Sequence, residues 1–439
     1  MNSLELIRKL VCKNGGKGSC KLALPILSKR WFETDHLNNM DLNDDPFPNV
    51  SRSAPREEFN WREVVSEAEQ IVGYPTSFLN LRWLFNDEIA NTAIHLRKLV
   101  GTNHPLLKSA KTLLIGSKSN LQSVGLIILL TSKAAGFDER DFSEAHHDSG
   151  VLHAQRGLAE IVEMKRTGHL IHKTMENLQD KEKHKDKFQD LLYGNKIVLL
   201  TGDYLLATCL HQLGVLRNNE VTELISTGLR DLVEGDAFGP KDVDNAPLPT
   251  PPKALNEVER HFDWENEDNL KVMGSNEFLG QGKDEWKLRT MLNTGSILGK
   301  GCQAAMKLAK RGKEMEKNAY CLGGHLALLW QLYLDVKEFF THPYNYSLVS
   351  APVILALWEY PQLYRHIFEA RTNKKPLEYK QFFYAVQTTR ALEYLTLFLD
   401  EELEATLRYS ERFPGQDARG AIQKMALTIH SEALQYIEK

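Results

Sequence analysis

The sequence predicts an all-α protein. From about Asn60 onward nearly every segment repeats its apolar residues at helical spacing, the segments stop at glycines, and no run alternates as a half-buried strand would. Thr76 or Ser77 can cap a helix carrying Leu81, Leu84, Ile89, Ile94 and Val100, with Gly101 as its stop. His104 to Ile115 precedes Gly116, and Leu121 to Ala135 precedes Gly136. Ser149 is placed to open the next helix, whose Leu158, Ile161, Val162, Leu170, Ile171 and Met175 share a helical period. Asn195 to Leu213 follows and stops at Gly214, and Glu220 to Glu234 follows a capping position at Asn219. One stretch departs from this style. Gly239 to about Lys271 carries a proline cluster, many acids and few apolar residues, and helices resume at Glu285. It reads as a loop inserted at about 239–284 into one helical body spanning 60–439.

The composition suits a globular chain: 42% of residues are hydrophobic and 26% charged, enough apolar material for a sizeable core. A net charge of −4 argues against nucleic acid as the main partner, because such binders carry a basic surplus. The best apolar run, Leu126 to Leu130, is far shorter than the roughly 18 residues of a membrane-spanning helix. Cys12, Cys20, Cys209, Cys302 and Cys321 form no CxxC pair and are too sparse for a disulfide framework, so they read as core-filling thiols in a reducing compartment.

Residues 1–32 are of another kind. Arg8, Lys9, Lys13, Lys17, Lys21, Lys29 and Arg30 face a single acid, Glu5, and Leu4, Ile7, Leu10 and Val11 fall at helical spacing. A basic, acid-poor, amphipathic start is the pattern of a mitochondrial transit peptide, which would deliver the protein to the matrix. Residues 33–59, rich in Asp, Asn, Pro and Ser, read as a flexible arm.

Four phrases, EAEQIVGYPTSFLNLRWLFNDEIANTAIHLRKLVGTNHPLL, GNKIVLLTGDYLLA, TGSILGKGCQAAMKLAK and SAPVILAL, occur in an order and spacing that resemble the all-trans polyprenyl diphosphate synthases. The resemblance runs from near Trp61 to the C-terminus and implies the isoprenoid synthase helical bundle. In that family an allylic diphosphate ionises, and Mg²⁺ held by two DDxxD motifs on facing helices stabilises the departing diphosphate.

The resemblance also shows what is missing. EMKRTGHLIHKTMEN stands in the place of the first motif, with Lys173, Thr174 and Asn177 where the aspartates belong; Glu176 is the nearest acid. In the second, Leu334, Asp335 and Glu338 replace the three aspartates, which leaves Asp335 and Glu338 as weak metal candidates or an ordinary surface pair. Leu121 and Val124 replace the Lys and Arg that hold isopentenyl diphosphate, and Asn293 replaces a lysine beside the diphosphate. His169, one turn before the first motif, stands where a small residue would leave room for the prenyl tail, so it is expected to narrow or plug the tunnel. Asp203, matched by a family Asp, also fits a buried structural role. His169 and His172, with His146 and His147, could be imagined as a zinc site, but the chain lacks an HExxH arrangement.

A frame without ligands has value if its surface is what matters. The expectation is a non-catalytic subunit of a heteromeric, decaprenyl-type synthase making the ubiquinone side chain. No cofactor is assigned to this chain, and Mg²⁺ belongs to the catalytic partner. The helices from Leu81 to Val100 and from Leu121 to Ala135 are expected to face that partner, with membranes touched only peripherally through the lipid product. An independently active prenyltransferase and a prenyl-lipid-binding protein without a catalytic partner are the alternatives.

Overall fold

The computed structural model describes residues 61–73, 124–138, 140–143, 147–178, 188–242, 245–253, 261–265, 276–372 and 377–438. The sequence-based helices at 76–100 and 104–115, the residues Leu121, Cys12, Cys20 and His146, and both N-terminal segments lie outside them. The described chain is a helical bundle: α1 (Trp61–Val72), α2 (Val124–Ala135), α3 (His153–His172), α4 (Phe188–Val215), α5 (Asn219–Ala237), α6 (Lys283–Thr290), α7 (Ser296–Leu308), α8 (Lys313–Thr341), α9 (Ala351–Glu359), α10 (Tyr364–Thr372), α11 (Tyr379–Gln387), α12 (Ala391–Ser410) and α13 (Gln416–Ile437). A π turn, Met291–Gly295, joins α6 to α7.

At the centre runs α8, 29 residues and therefore about 43 Å long. It packs against α7, α12 and α13. Gly299 of α7 and Gly323 of α8 let these two backbones meet, since a Cβ on Gly323 would press on Gly299. Cys209, Cys302 and Cys321 are buried free thiols.

Two expected helix starts are corrected. Ser149 does not open α3: with φ +54° beside Gly150 at +79°, it forms the turn of a small hairpin, β1 (His147–Asp148) and β2 (Val151–Leu152). Two consecutive positive-φ residues suit the right-handed twist of such a ribbon. Buried Gln155 starts α3 instead, accepting from the Leu152 N–H at 3.1 Å and donating to the Ala305 carbonyl at 3.0 Å. Asn218, rather than Asn219, caps α5 by accepting from the Val221 N–H at 3.1 Å.

Helix α2 is also corrected in role. It is enclosed by α1, α3, α7 and α13, and every residue from Val124 to Ala135 except Lys133 is buried. A helix apolar on all sides is a core element, so α2 is no partner-facing surface. The exposed apolar helix is α4, which packs on α3 yet leaves Leu192, Leu199, Leu200, Tyr204, Leu210 and Val215 in solvent. By length and composition alone α4 could cross a membrane, although short apolar runs do not reveal it.

The α3–α4 crossing depends on glycine. Gly168 lies against the Gly202 carbonyl, and a Cβ on Gly202 would overlap the His172 ring. Gly202→Ala is expected to cost ~1–3 kcal/mol by overpacking. Gly214→Ala in the same helix, where a Cβ meets nothing within 4 Å, should be neutral or stabilising by comparison. Thermal unfolding of the two variants checks the contrast.

The inserted stretch is anchored to the bundle where it is described. Trp264 is buried against Gly324, whose Cβ would overlap the indole, and Phe262 packs on Phe278 at 5.2 Å. Next to Trp264, Glu265 lies 3.1 Å from His325 Nε2, while His325 Nδ1 lies 2.7 Å from Glu402. Tyr409 donates to Glu265 at 2.5 Å, and Lys287 pairs with Glu402 at 3.0 Å. Burial opposes the charged imidazolium, but hydrogen bonds to Glu265 and Glu402 outweigh it and raise the His325 pKa. A raised folded-state value means the contact stabilises fully below about 6.5 and fades as pH climbs through the folded pKa. His325→Gln should therefore lower Tm most near neutrality and least in alkaline buffer, a trend that Tm measured from pH 6.5 to 9 would reverse or verify.

Candidate functional site

The site that would hold the first metal motif begins at the C-terminal end of α3. The helix stops at His172, so the expected continuation through Met175 is corrected: Lys173 and Thr174 form a turn and the chain then leaves helical geometry. Local and distant contacts enforce the stop. The Thr174 hydroxyl donates to the Ile171 carbonyl at 2.7 Å. The Asn195 side chain accepts from the Glu176 N–H and donates to the Glu176 carbonyl, both at 2.9 Å, pulling the chain toward α4. Lys173, Thr174 and Asn177 thus share no helical face, and three carboxylates in their places would not line up as a metal motif.

The charge at this end of α3 is balanced from α5. Asp236, at the C-terminal end of α5, pairs with Lys173 Nζ at 2.6 Å. Its other oxygen lies 3.2 Å from His169 Nε2, in contact but off the hydrogen-bond direction, so that buried nitrogen is left unsatisfied. Burial lowers the His169 pKa, with Asp236 pulling the other way. One acid on α5 therefore contacts both Lys173 and His169.

Deeper in the bundle, fully buried Asp231 takes hydrogen bonds from Ser296 and Lys300 of α7, and from Arg230 at 3.1 Å. Lys165 of α3 donates to the Ile225 carbonyl, and burial brings its pKa down to about 8. At the N-terminal end of α2 the buried Glu163 carboxylate accepts from the Gly125 N–H at 3.1 Å. Burial raises the pKa of Glu163. A helix N-terminus favours an anion, and here the chain supplies its own. Val124 is buried beside it, without the basic fork of a phosphate site.

Of the second group of candidates, Asp335 serves the scaffold. Asp335 is buried rather than on the surface; it accepts from Trp286 Nε1 at 2.7 Å, the Ala351 N–H at 2.8 Å and Gln331 Nε2 at 2.7 Å. Burial pushes its pKa up to about 6 despite those donors. Its two oxygens tie α8 to α6 and α9, which leaves little for a cation. Glu338 is exposed and accepts from the Ser347 N–H at 3.4 Å, while Leu334 is half-buried. Arg289 is buried, bonded to Glu285 at 2.8 Å and to the carbonyls of Phe238 and Leu248, so it does not reach for a diphosphate. Asn293 donates to the Arg289 carbonyl at 2.9 Å, and its buried Oδ1 has no partner among the described residues.

Two further expectations shift. Asp203 is exposed on α4 instead of buried, 3.3 Å from His172 Nε2. Asp236, Asp231 and Glu163 were not singled out by sequence, because each is an isolated acid whose partner lies far along the chain.

The described helices form an all-α bundle with Lys173, Thr174 and Asn177 at the first candidate position and Asp335 and Glu338 at the second, an architecture shared with trans-prenyltransferases. No family model matches the chain. The human all trans-polyprenyl-diphosphate synthase PDSS2 is 35% identical over 383 residues, 84% of this chain and 87% of that protein. A protein of Yarrowia lipolytica described as a probable hexaprenyl pyrophosphate synthase, mitochondrial, is 25% identical over 69% of this chain and 74% of its own length. Among solved structures, the polyprenyl synthase from Caulobacter crescentus covers 86% of this chain with 99% of its own at a TM-score of 0.56 and 15% identity, a likeness of fold. The chain belongs to the all-trans polyprenyl diphosphate synthase family.

Proposed function

We propose that this chain is the non-catalytic subunit of a heteromeric all-trans polyprenyl, decaprenyl-type diphosphate synthase that makes the ubiquinone side chain, working in the mitochondrial matrix beside a catalytic homologue. The observation that carries the reading is the Lys173–Asp236 pair: an ammonium, neutralised from α5, sits where the first Mg²⁺-binding carboxylate would be. Lys173 supplies no carboxylate oxygen there and engages Asp236, so the divalent ion on which the chemistry depends finds no free anionic ligand. The Asp231–Lys300 and Glu163 contacts support it, since they fill the interior with the chain's own charges. Mg²⁺ is then the catalytic partner's, and the prenyl product leaves only a peripheral connection to membranes.

The partner surface is assigned to the exposed side of α4. Leu192, Leu199 and Leu210 fall on one line of the helix, with Leu200 and Tyr204 beside it. This apolar row, interrupted by exposed Lys196 and Asp203, lies on a helix that already packs on its other side, which supports an interface there. The mitochondrial wording of the Yarrowia relative agrees with the basic N-terminus.

Prenyl transfer from labelled isopentenyl diphosphate tests the proposal, with this chain alone, the catalytic homologue alone, and the two co-expressed. Activity is expected only, or at least tenfold more, in the mixture, co-purifying as one complex. Mg²⁺-dependent turnover by this chain alone would overturn it.

A further inference from the structure

The exposed face of α4 is symmetric about one point. Lys196 and Asp203 are seven residues apart (203 − 196), and both are exposed. Seven residues are nearly two turns, so the two charges share one line of the helix about 10 Å apart. Midway between them lie Leu199 and Leu200, 46% and 54% exposed. Counting seven residues outward from that central pair reaches Leu192 on one side and Ala207 on the other, a large and a small exposed side chain. We propose that, when the catalytic homologue is absent, this face binds a second copy of the chain through antiparallel two-fold pairing of α4 with α4. The inference rests on the reading of α4 as an interface and adds a second, mutually exclusive occupant.

In a two-fold contact, residue i of one copy meets j of the other and j meets i. An axis passing between Leu199 and Leu200 sets Lys196 against the second copy's Asp203, and Asp203 against its Lys196. The same axis sets Leu199 against Leu200 and Leu192 against Ala207, so apolar meets apolar and large meets small. Parallel pairing would instead place Lys196 on Lys196 and Asp203 on Asp203, which like-charge repulsion disfavours. The charges that interrupt the apolar row therefore select both the orientation and the register.

Charge complementarity is what favours a second copy. A partner lacking matching charges would bury Lys196 and Asp203 unpaired, at a desolvation cost. A second copy supplies both counter-charges at the required spacing. His172 of α3 reaches the same face: its Nε2 lies 3.3 Å from Asp203, which steadies the carboxylate while 61% of that side chain stays in solvent.

The full chain is tested by sedimentation velocity from nanomolar to micromolar concentration, over which the parent should pass from monomer to dimer. Lys196→Asp and Asp203→Lys each set like charges together twice, so each should raise the dimer Kd at least tenfold. A mixture of these two variants should regain the parent's affinity as a heterodimer. The double variant Lys196→Asp with Asp203→Lys should regain it with itself, because every charge again meets its opposite. At nanomolar dilution, where all are monomers, the variants should unfold with the parent's Tm, since both positions are exposed. Adding the catalytic homologue should convert the homodimer into the heteromer. A parent that stays monomeric, single variants that dimerise as the parent does, or reversals that mixing does not rescue overturn the proposal, whether or not the heteromer forms. Failure of the heteromer alone, with the charge rescue intact, overturns the functional reading and leaves the homodimer standing.

Discussion

Leu199→Glu is expected to abolish co-purification with the catalytic homologue and to drop prenyl transfer by the mixture to the level of the homologue alone. Leu199 is about half exposed on α4 and lies between Leu192 and Leu210 on the same line. A central interface leucine contributes up to ~2–3 kcal/mol when desolvated, and a carboxylate in its place adds the cost of burying an unpaired charge. The sum exceeds ~3 kcal/mol, more than a hundredfold in Kd. The isolated chain should hardly register the change, since the side chain already meets water at an exposed helical position. Circular dichroism and Tm of the single chain serve as that control. Survival of the complex with an intact Leu199→Glu chain would remove α4 from the interface.

The contrast between α2 and α4 explains how far the sequence could be read. Helical period, glycine stops and the order of phrases identified the elements and the family frame, because these are local or collinear signals. Which helix is buried is not local. LIILL in α2 and IVLL in α4 look alike as strings, yet the first is enclosed by four helices and the second leaves Leu199 and Leu200 in solvent. The end of α3 escaped for the same reason: Met175 fits the period, while the Asn195 side chain that draws Glu176 away lies 19 residues further on. That Lys173, Thr174 and Asn177 carry no carboxylate is plain in the sequence. The internal partner of Lys173, Asp236, 63 residues further along the chain (236 − 173), required the structure. Asp335 looked like half of a surface pair because the Trp286 and Ala351 donors that claim it are remote in sequence.

Asp231→Ala is expected to destabilise the chain by ~3–5 kcal/mol, because it strands the Lys300 ammonium in the interior. Lys300→Met should cost a similar amount for the converse reason, leaving Asp231 with only Ser296 and the half-exposed Arg230. The double replacement Asp231→Leu with Lys300→Met removes both charges from a site enclosed by α5 and α7. Such apolar exchanges are often neutral or stabilising by ~1–4 kcal/mol, so the double variant should recover most of what either single change loses. A thermal or urea unfolding cycle over the four proteins measures this directly. The same cycle separates structure from chemistry. If the ion pair merely fills the former substrate cavity of a silent subunit, the complex containing the double variant should turn over within about twofold of the parent, a barrier change of ~0.4 kcal/mol. A folded double variant whose complex loses tenfold or more in turnover would place Asp231 and Lys300 in a working site, and this chain would then be a participant in catalysis.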